Sequence, residues 1–435
     1  MREFRNGDVS RQHRWMLLGF LFSGGLINYL DRSALSVAAP IVTRDLHLNP
    51  TQLGMVFSIF FAGYSVAAFL GGYGADAFGP KRVFTISMIV WSLFSGLTAA
   101  ATGFVSLLVI RTVFGLGEGP FSTAANKIVN NSFPSSQRGL AIGLANAGTP
   151  IGGAISSLLV GWLMVLYGWR ISFGGIALIG FTWTAVWVRY QIRGSNKHSN
   201  STVRAPVQTV SDRPKTQLVR RELLFYLRQR AIIVLGIAFF GYGYILYFFL
   251  TWFPSYLTNV QHLSLRAMAL LNSIPWVLGA AGLTLSGSLS DFLSLRIGRD
   301  HLFGRKLVLV AGLASAATCV AFAGIASGVI TVIVLMSAAV FLVYLTGTTY
   351  WAIVQEIVQS QYVGATGGFV HLIANCAGIV GPILTGVIFQ FSGSFRPAFF
   401  LAGAFALFGA CLVAIFVRRI EVATPSDSVG VKQVC

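Results

Sequence analysis

The sequence predicts an all-α membrane protein, with twelve transmembrane helices in two pseudo-symmetric six-helix bundles. Of its 435 residues, 55% are hydrophobic and only 10% are charged, whereas about 25% of the residues of an average soluble domain are charged. The mean hydropathy is +0.73. Apolar runs long enough to cross a bilayer recur twelve times, and a short loop motif appears in both halves of the chain. These observations exclude a soluble protein.

The apolar runs give the elements in order, since a helix of about 20 residues crosses the hydrocarbon core. The predicted spans lie near 15–40, 52–75, 83–102, 104–128, 140–165, 168–190, 231–258, 266–290, 307–326, 328–355, 364–390 and 396–417. None of these runs alternates apolar and polar residues, so helices are favoured over a β-barrel.

The distribution of basic residues predicts the orientation. With the N-terminus in the cytoplasm, 25 of the 31 Lys and Arg residues fall in cytoplasmic segments, four fall outside and two lie within spans. Such a bias predicts cytoplasmic N- and C-termini. It also explains the net charge of +18 without nucleic acid, because the basic residues lie in short segments between the apolar runs.

The same pattern predicts the domain boundaries. We expect an N-terminal bundle over 1–190, a basic cytoplasmic linker over 191–230, a C-terminal bundle over 231–418 and a cytoplasmic tail over 419–435. The linker has no apolar run, and its basic residues can contact anionic lipid. The four cysteines show no metal-ligand or disulfide spacing, so we predict no metal and no cofactor.

A loop motif follows span two and recurs after span eight. The first copy reads Gly72-Tyr-Gly-Ala-Asp76 followed by Gly79-Pro-Lys81-Arg82, and the second reads Gly287-Ser-Leu-Ser-Asp291 followed by Gly304-Arg305-Lys306. An acid at a helix end can pair with basic residues or with a neighbouring helix N-terminus. We therefore predict a gating latch on the cytoplasmic side, formed by Asp76, Lys81, Arg82, Asp291, Arg305 and Lys306.

With twelve spans, this repeated motif resembles that of the major facilitator superfamily. Ala77 and Pro80 depart from the family motif at positions where basic residues are usual. Span one narrows the resemblance, because Ile27-Asn28-Tyr29-Leu30-Asp31-Arg32 is similar to the opening motif of the anion:cation symporter family. The Arg111-x-x-x-Gly115-x-x-Glu118 stretch and Tyr350-Trp351 agree with it. The resemblance implies a bacterial inner-membrane carrier of hexonates, hexarates, tartrate, phthalate or similar anions.

Arg32 is the predicted carboxylate ligand. It lies deep in span one, where a charged side chain is costly unless it faces a cavity or a partner. Arginine binds carboxylates through a two-pronged fork, and Tyr29 is three residues earlier on the same helix face. The alternative is a structural ion pair with an acid on another helix. The resemblance implies contact between this arginine and the substrate anion, with Tyr64 alongside.

Asp31, Arg111 and Glu118 are the predicted proton-coupling residues. Acids within a membrane span are expected to be functional, because burial and nearby charges compete for their protons. Arg111 and Glu118 share a helix stripe two turns apart, and Arg111 can reach Asp31. The resemblance assigns proton coupling to Asp31 and Glu118 and their organisation to Arg111. For Glu118 the alternative is a static buried pair.

Fewer candidates come from the remaining spans. In the second half we expect Trp351, His371 and Asn375 to contact substrate, and in span five Asn146 and Thr149. His371 stands where family members tend to carry asparagine, so it can bond a hydroxyl, take a proton or simply pack.

The sequence predicts a proton symporter that imports a small organic anion by alternating access. The favoured substrate is a hydroxylated sugar acid, and we expect the monomer to be functional. An aromatic or dicarboxylic acid symporter is the alternative. An organic phosphate antiporter is less favoured, because few cavity arginines are present. A membrane receptor or a membrane enzyme is the remote alternative, and no HExxH or GxSxG motif occurs.

Overall fold

The computed structural model describes residues 11–198, 216–296 and 301–418, and over these ranges its regular structure is helical. The helices are α1 (Arg11–Asp45), α2 (Pro50–Ala77), α3 (Pro80–Leu97), α4 (Phe104–Glu118), α5 (Pro120–Ser132), α6 (Ser135–His198), α7 (Thr216–Leu227), α8 (Arg230–Asn259), α9 (Leu265–Arg296), α10 (His301–Ile325), α11 (Val329–Thr346), α12 (Thr349–Ile357), α13 (Val363–Ser392) and α14 (Arg396–Phe416). A 3-10 turn, Thr98–Ala100, extends α3.

The helices confirm the predicted all-α membrane fold. Ten stretches of the described residues are long and apolar enough to cross a bilayer. One of them, Gln137–Ile192, is 56 residues long and contains a non-helical glycine, Gly168, at φ 76°, so it holds two spans. The polar residues in the middle of α1 keep that 35-residue helix out of the ten. Counting α1 and both parts of α6 gives the twelve predicted spans.

Local signals place several helix ends. Asn49 caps α2: its side-chain oxygen accepts a hydrogen bond from the Gln52 backbone amide, and its own backbone amide donates one to Gln52 Oε1. Pro50 occupies the first turn. Predicted span four consists of two helices, because α4 ends at Glu118 and α5 begins after Gly119. The equivalent break in the second half lies between α11 and α12.

The two halves meet at one end of the molecule, which we call the closed end. There α2 packs against α13, and α6 packs against α9. The Thr51 amide donates to Gln390 Oε1 at 3.2 Å, and Asn272 Nδ2 donates to Ser157 Oγ at 2.8 Å. A Cβ atom at Gly54 would lie 2.5 Å from the Pro382 oxygen, so only glycine permits this close backbone approach.

Toward the opposite ends of the same helices, which we call the open end, no hydrogen bond between described residues joins the halves. Nothing lies within 4 Å of a Cβ built on Gly143 of α6, Gly287 of α9 or Gly364 of α13. The seam between the halves is therefore tight from the closed end to the middle of the molecule and parts beyond it. The middle of α1, where Asp31 and Arg32 lie, is at the depth where the seam parts.

The linker is only partly described. Helix α6 continues to His198, and α7 occupies Thr216–Leu227, so helix extends into the predicted 191–230 linker from both sides. Tyr362, before α13, donates a hydrogen bond to Glu222 of α7. Residues 199–215 and the tail over 419–435 lie outside the described residues. The domain boundaries stay a prediction.

Candidate functional site

Four ionisable side chains from the first half are buried together in the middle of the molecule. Asp31 is 1% exposed, Arg32 8%, Arg111 2% and Glu118 0%. Charged groups away from water require partners, and these four sit on α1 and α4. We call them the ionisable cluster. None of them is turned outward, so their charges act on one another and on the space between the halves.

Arg32 and Glu118 form a buried ion pair. Arg32 Nε donates to Glu118 Oε1 at 2.8 Å, and Arg32 Nη2 donates to the same oxygen. These bonds leave Arg32 Nη1 unused, and Glu118 Oε2 has no hydrogen-bond partner among the described residues. The pair matches the ion-pair alternative for Arg32.

Aromatic rings surround the Arg32 guanidinium. Its Cζ atom lies 5.0 Å from the ring centre of Tyr29, 4.8 Å from that of Tyr64 and 5.2 Å from that of Phe60. Such cation–π contacts stabilise a desolvated positive charge. The structure therefore brings together Arg32, Tyr29 and Tyr64, which the sequence placed in one subsite. Tyr29 also packs edge-on against Trp276 of α9, across the seam.

Asp31 points away from Arg32, toward α3. It accepts a hydrogen bond from Ser95 Oγ at 2.7 Å and one from Trp91 Nε1 at 3.1 Å. Both donors are buried and neutral. Asp31 thus has hydrogen-bond partners in either protonation state without a permanent countercharge bound to it, which suits a group that gains and loses a proton.

Arg111 is buried in the same cluster but bonds to neither acid in the described part of the chain. Its Cζ atom is 4.9 Å from the Phe60 ring centre and 4.5 Å from that of Phe114. Its charge interacts electrostatically with Glu118 and Asp31. The expected reach from Arg111 to Asp31 is replaced by the Trp91 and Ser95 bonds, and Arg111 acts on both acids through its field.

The second half supplies a chain of neutral polar groups. Tyr247 Oη donates to Asn375 Oδ1 at 3.0 Å, and Asn375 Nδ2 lies 3.1 Å from His371 Nδ1 and 3.0 Å from the His371 backbone oxygen. The His371 ring lies 5.8 Å from those of both Trp351 and Phe239. The predicted residues His371, Asn375 and Trp351 are therefore neighbours.

The two span-five candidates lie on α6 where it passes α1. Thr149 Oγ1 donates to the Asn146 backbone oxygen at 2.8 Å, and its methyl group faces Gly25. Asn146 is exposed and Thr149 is half-buried. Their hydrogen bond is local to α6, so the structure places them beside α1, one to two turns from the residues that surround Arg32.

The motif charges pair within each half. Asp76 pairs with Lys127 of α5, and Arg305 lies 3.5 Å from Glu356 and donates to the Ala352 oxygen at 2.8 Å. Lys306 donates to the Val417 oxygen at 3.1 Å. Lys81, Arg82 and Asp291 are exposed. The described ion pairs of the predicted latch do not cross the seam, which is parted at this end.

Sequence reasoning did not single out Trp91, Ser95, Tyr247, Lys127 or Glu356. Trp91 and Ser95 look like packing residues of an apolar span, and their spacing of four residues puts them on one helix face without indicating what they contact. Tyr247 is one of several aromatic residues in its span. Among the described residues no group of three potential ligands could hold a metal ion.

Comparison with known proteins places the chain among transporters. The model of the Major Facilitator Superfamily matches residues 21–373. The chain is 46% identical over 402 residues to the hexuronate transporter of Bacillus subtilis strain 168, covering 92% of this chain and 94% of the relative. It is 31% identical over 414 residues to the probable galactarate/D-glucarate transporter of Escherichia coli K12, covering 91% and 92%. The solved structure of a D-xylose-proton symporter superimposes with a TM-score of 0.71 at 15% identity, covering 94% of this chain and 99% of that one.

Proposed function

The chain belongs to the major facilitator superfamily, and on that premise we propose that it imports a hydroxylated sugar acid together with protons. The protein is a multi-pass membrane transporter and not an enzyme, and the relatives named above are transporters of sugar acids. Hexuronates, hexonates and hexarates all pair a carboxylate with several hydroxyl groups. The buried Arg32–Glu118 pair is the observation that carries the proposal.

Glu118 and the substrate carboxylate compete for Arg32. While Glu118 is ionised, its Oε1 atom occupies Nε and Nη2 of the guanidinium. Protonation of Glu118 removes the negative charge and weakens both bonds, because the guanidinium then donates to a neutral carboxyl oxygen in place of a carboxylate. Arg32 is then free to take the anion. Substrate and proton therefore bind together and leave together, which is the requirement for symport.

Asp31 supplies a second protonation site. It is bound by Trp91 and Ser95, so its proton exchange does not depend on the Arg32–Glu118 bonds. Arg111 carries a positive charge in the same buried cluster, so it offsets the negative charge of an ionised acid after the substrate has left. The cluster thereby returns to the paired state after release. A carrier that holds both the anion and protons has less uncompensated charge than one that holds the anion alone. This lowers the electrostatic cost of moving the two halves around the occupied site.

The orientation follows from the basic residues. Lys81, Arg82, Lys127 and Arg138 lie at the open end of the molecule, and the positive-inside rule puts that end in the cytoplasm. The described conformation is then inward-open, with both termini cytoplasmic, in a bacterial inner membrane. The halves enclose the whole site, so a monomer is sufficient for transport.

Counterflow in proteoliposomes tests the function. The panel is D-glucuronate, D-galactonate, D-glucarate, tartrate and phthalate, each with and without an inward proton gradient. We expect the sugar acids to exchange and the gradient to drive their accumulation. Arg32→Ala should abolish exchange, while Arg170→Ala, which removes an exposed arginine paired with Asp45 near the closed end, should leave it unchanged.

Three results would contradict the proposal. Exchange restricted to tartrate or phthalate would assign the dicarboxylic or aromatic acid alternative. Accumulation that is indifferent to the proton gradient would remove proton coupling. Normal exchange in Arg32→Ala would show that the anion binds elsewhere.

A further inference from the structure

The hydrogen-bond chain of the second half has a fixed direction, and this direction gives Tyr247 a role. We propose that Tyr247 is a specificity residue: its phenol oxygen accepts a hydrogen bond from a substrate hydroxyl while Arg32 holds the carboxylate. The inference rests on the proposed function and extends it, because it names the part of the substrate that the second half recognises.

The direction of the chain follows from counting hydrogens. Asn375 Nδ2 has two, and its two neighbours are His371 Nδ1 at 3.1 Å and the His371 backbone oxygen at 3.0 Å, both acceptors. Asn375 Oδ1 is then an acceptor only, and the Tyr247 hydroxyl donates to it at 3.0 Å. The single hydrogen of Tyr247 is used, so its oxygen has only lone pairs left to offer.

His371 is fixed by the same count. An Nδ1 atom that accepts from Asn375 carries no hydrogen, so the ring hydrogen of the neutral imidazole is on Nε2. A protonated imidazole would carry a hydrogen on Nδ1, facing the Asn375 amide. The chain therefore holds His371 neutral and keeps the Tyr247 oxygen an acceptor.

The Tyr247 hydroxyl oxygen, which is this acceptor, lies near the ionisable cluster. The Tyr247 side chain is half-buried, and its ring centre lies 4.4 Å from that of Phe61 on α2. Phe61 precedes the turn that carries Tyr64 and follows Phe60, whose ring lies under Arg32. Tyr247 and Arg32 are close enough to interact electrostatically. One substrate can thus touch both.

The two contacts read different parts of the ligand. Arg32, in the first half of the protein, binds the negative charge of the ligand, and any carboxylate can provide it. Tyr247, in the second half, accepts a hydrogen bond from a ligand hydroxyl, which sugar acids have and simple carboxylates lack. A ligand without that hydroxyl leaves the Tyr247 oxygen desolvated and unpaired, which sites built for a hydroxyl discriminate against strongly. The chemical class is a carboxylate with a hydroxyl group a few carbons away.

The test compares two ligands and two variants of the full-length protein. Binding of D-glucuronate and of cyclohexanecarboxylate, a six-membered-ring acid without hydroxyls, is measured by isothermal titration calorimetry on Tyr247→Phe and on Tyr244→Phe. Tyr244 is the matched control, because it is a buried tyrosine of the same helix that packs against Phe405 of α14. Thermal unfolding reports whether each variant is folded.

We expect Tyr247→Phe to weaken D-glucuronate binding about tenfold and cyclohexanecarboxylate binding by less than about twofold. Tyr244→Phe should change neither. Unchanged D-glucuronate binding in Tyr247→Phe, or equal losses for both ligands, would overturn the inference. Failure of the wild-type protein to bind any of D-glucuronate, D-galactonate and D-glucarate would instead contradict the proposed function.

A second variant keeps the inference testable if Tyr247→Phe does not fold. Asn375→Ala leaves the tyrosine in place but removes the acceptor that orients its hydrogen, so the hydroxyl can turn. We expect the preference for D-glucuronate over cyclohexanecarboxylate to fall by about threefold, less than for Tyr247→Phe. An undiminished preference in Asn375→Ala would argue against the directed chain.

Discussion

Replacement of Glu118 by glutamine tests whether Glu118 and the substrate compete for Arg32, because it removes the charge of the side chain and keeps its packing. Glutamine has nearly the same shape, and its amide oxygen can still accept from Arg32 Nε, where Glu118 Oε1 now lies at 2.8 Å. What is lost is the negative charge and the proton. The variant therefore resembles the protonated form of the wild-type protein at every pH.

The magnitude follows from the bonds that the substrate must displace. A hydrogen bond to a charged group contributes about 1.5–3 kcal/mol net. Arg32 stays ionised in the variant, so its two bonds keep a charged donor and lose only the attraction of the carboxylate charge. A loss of about 0.7 kcal/mol per bond lowers the cost of displacing both by about 1.4 kcal/mol, which is a factor of about ten in affinity. We expect Glu118→Gln to bind D-glucuronate about tenfold more tightly than the wild-type protein at high pH.

Calorimetric titration between pH 5.5 and 8.5 measures this. Wild-type affinity should rise as pH falls, because a larger fraction of Glu118 is protonated, and the variant should show a flat profile. Glu356→Gln is the control, since Glu356 also faces an arginine, Arg305, but lies outside the ionisable cluster. A variant that folds and keeps the wild-type pH dependence would refute the competition, as would loss of binding in Glu118→Gln.

Three further changes test other parts of the site. Asp31→Asn keeps an acceptor for Trp91 and Ser95 but cannot release a proton, so exchange should persist while accumulation under a gradient of one pH unit falls by about tenfold per proton lost; full accumulation in liposomes would exclude Asp31 from coupling. His371→Asn should shift the ratio of D-glucuronate to D-galactonate uptake by about threefold or more, since it alters the partner of Asn375; an identical ratio would leave His371 a packing residue. Asp76→Asn removes the exposed pair with Lys127 and should lower the free energy of unfolding by no more than about 1 kcal/mol; a loss above about 3 kcal/mol in chemical denaturation would show that the pair does more than an exposed contact.

The spans could be predicted because their signal is local. Span two, expected near 52–75, is α2 at Pro50–Ala77, and span twelve, expected near 396–417, is α14 at Arg396–Phe416. Continuous apolar composition sets such lengths. The break after Glu118 was not predicted, although its cause is local: Pro120, which has no amide hydrogen to donate, begins α5 directly after Gly119.

The members of the site were partly predictable, and their partners were not. Arg32 and Tyr29 share one helix face, so their contact follows from helix geometry. The Arg32–Glu118 pair joins residues 86 positions apart, and the sequence offers no reason to choose Glu118 over another acid as the partner. The indole N–H of Trp91 donates to Asp31 because α3 lies beside α1. That arrangement of the two helices is a feature of the tertiary structure and cannot be predicted from the sequence of either helix.

All four ion pairs between described residues stay within a single half: three in the first and one in the second. The described contacts that cross the seam are neutral hydrogen bonds, aromatic ring contacts and tight glycine packing. Separating the halves at the closed end therefore pulls no opposite charges apart, and mobile counterions have nothing to compensate as it opens. The rate of the conformational cycle should hardly depend on electrolyte concentration, even though the cargo is an anion.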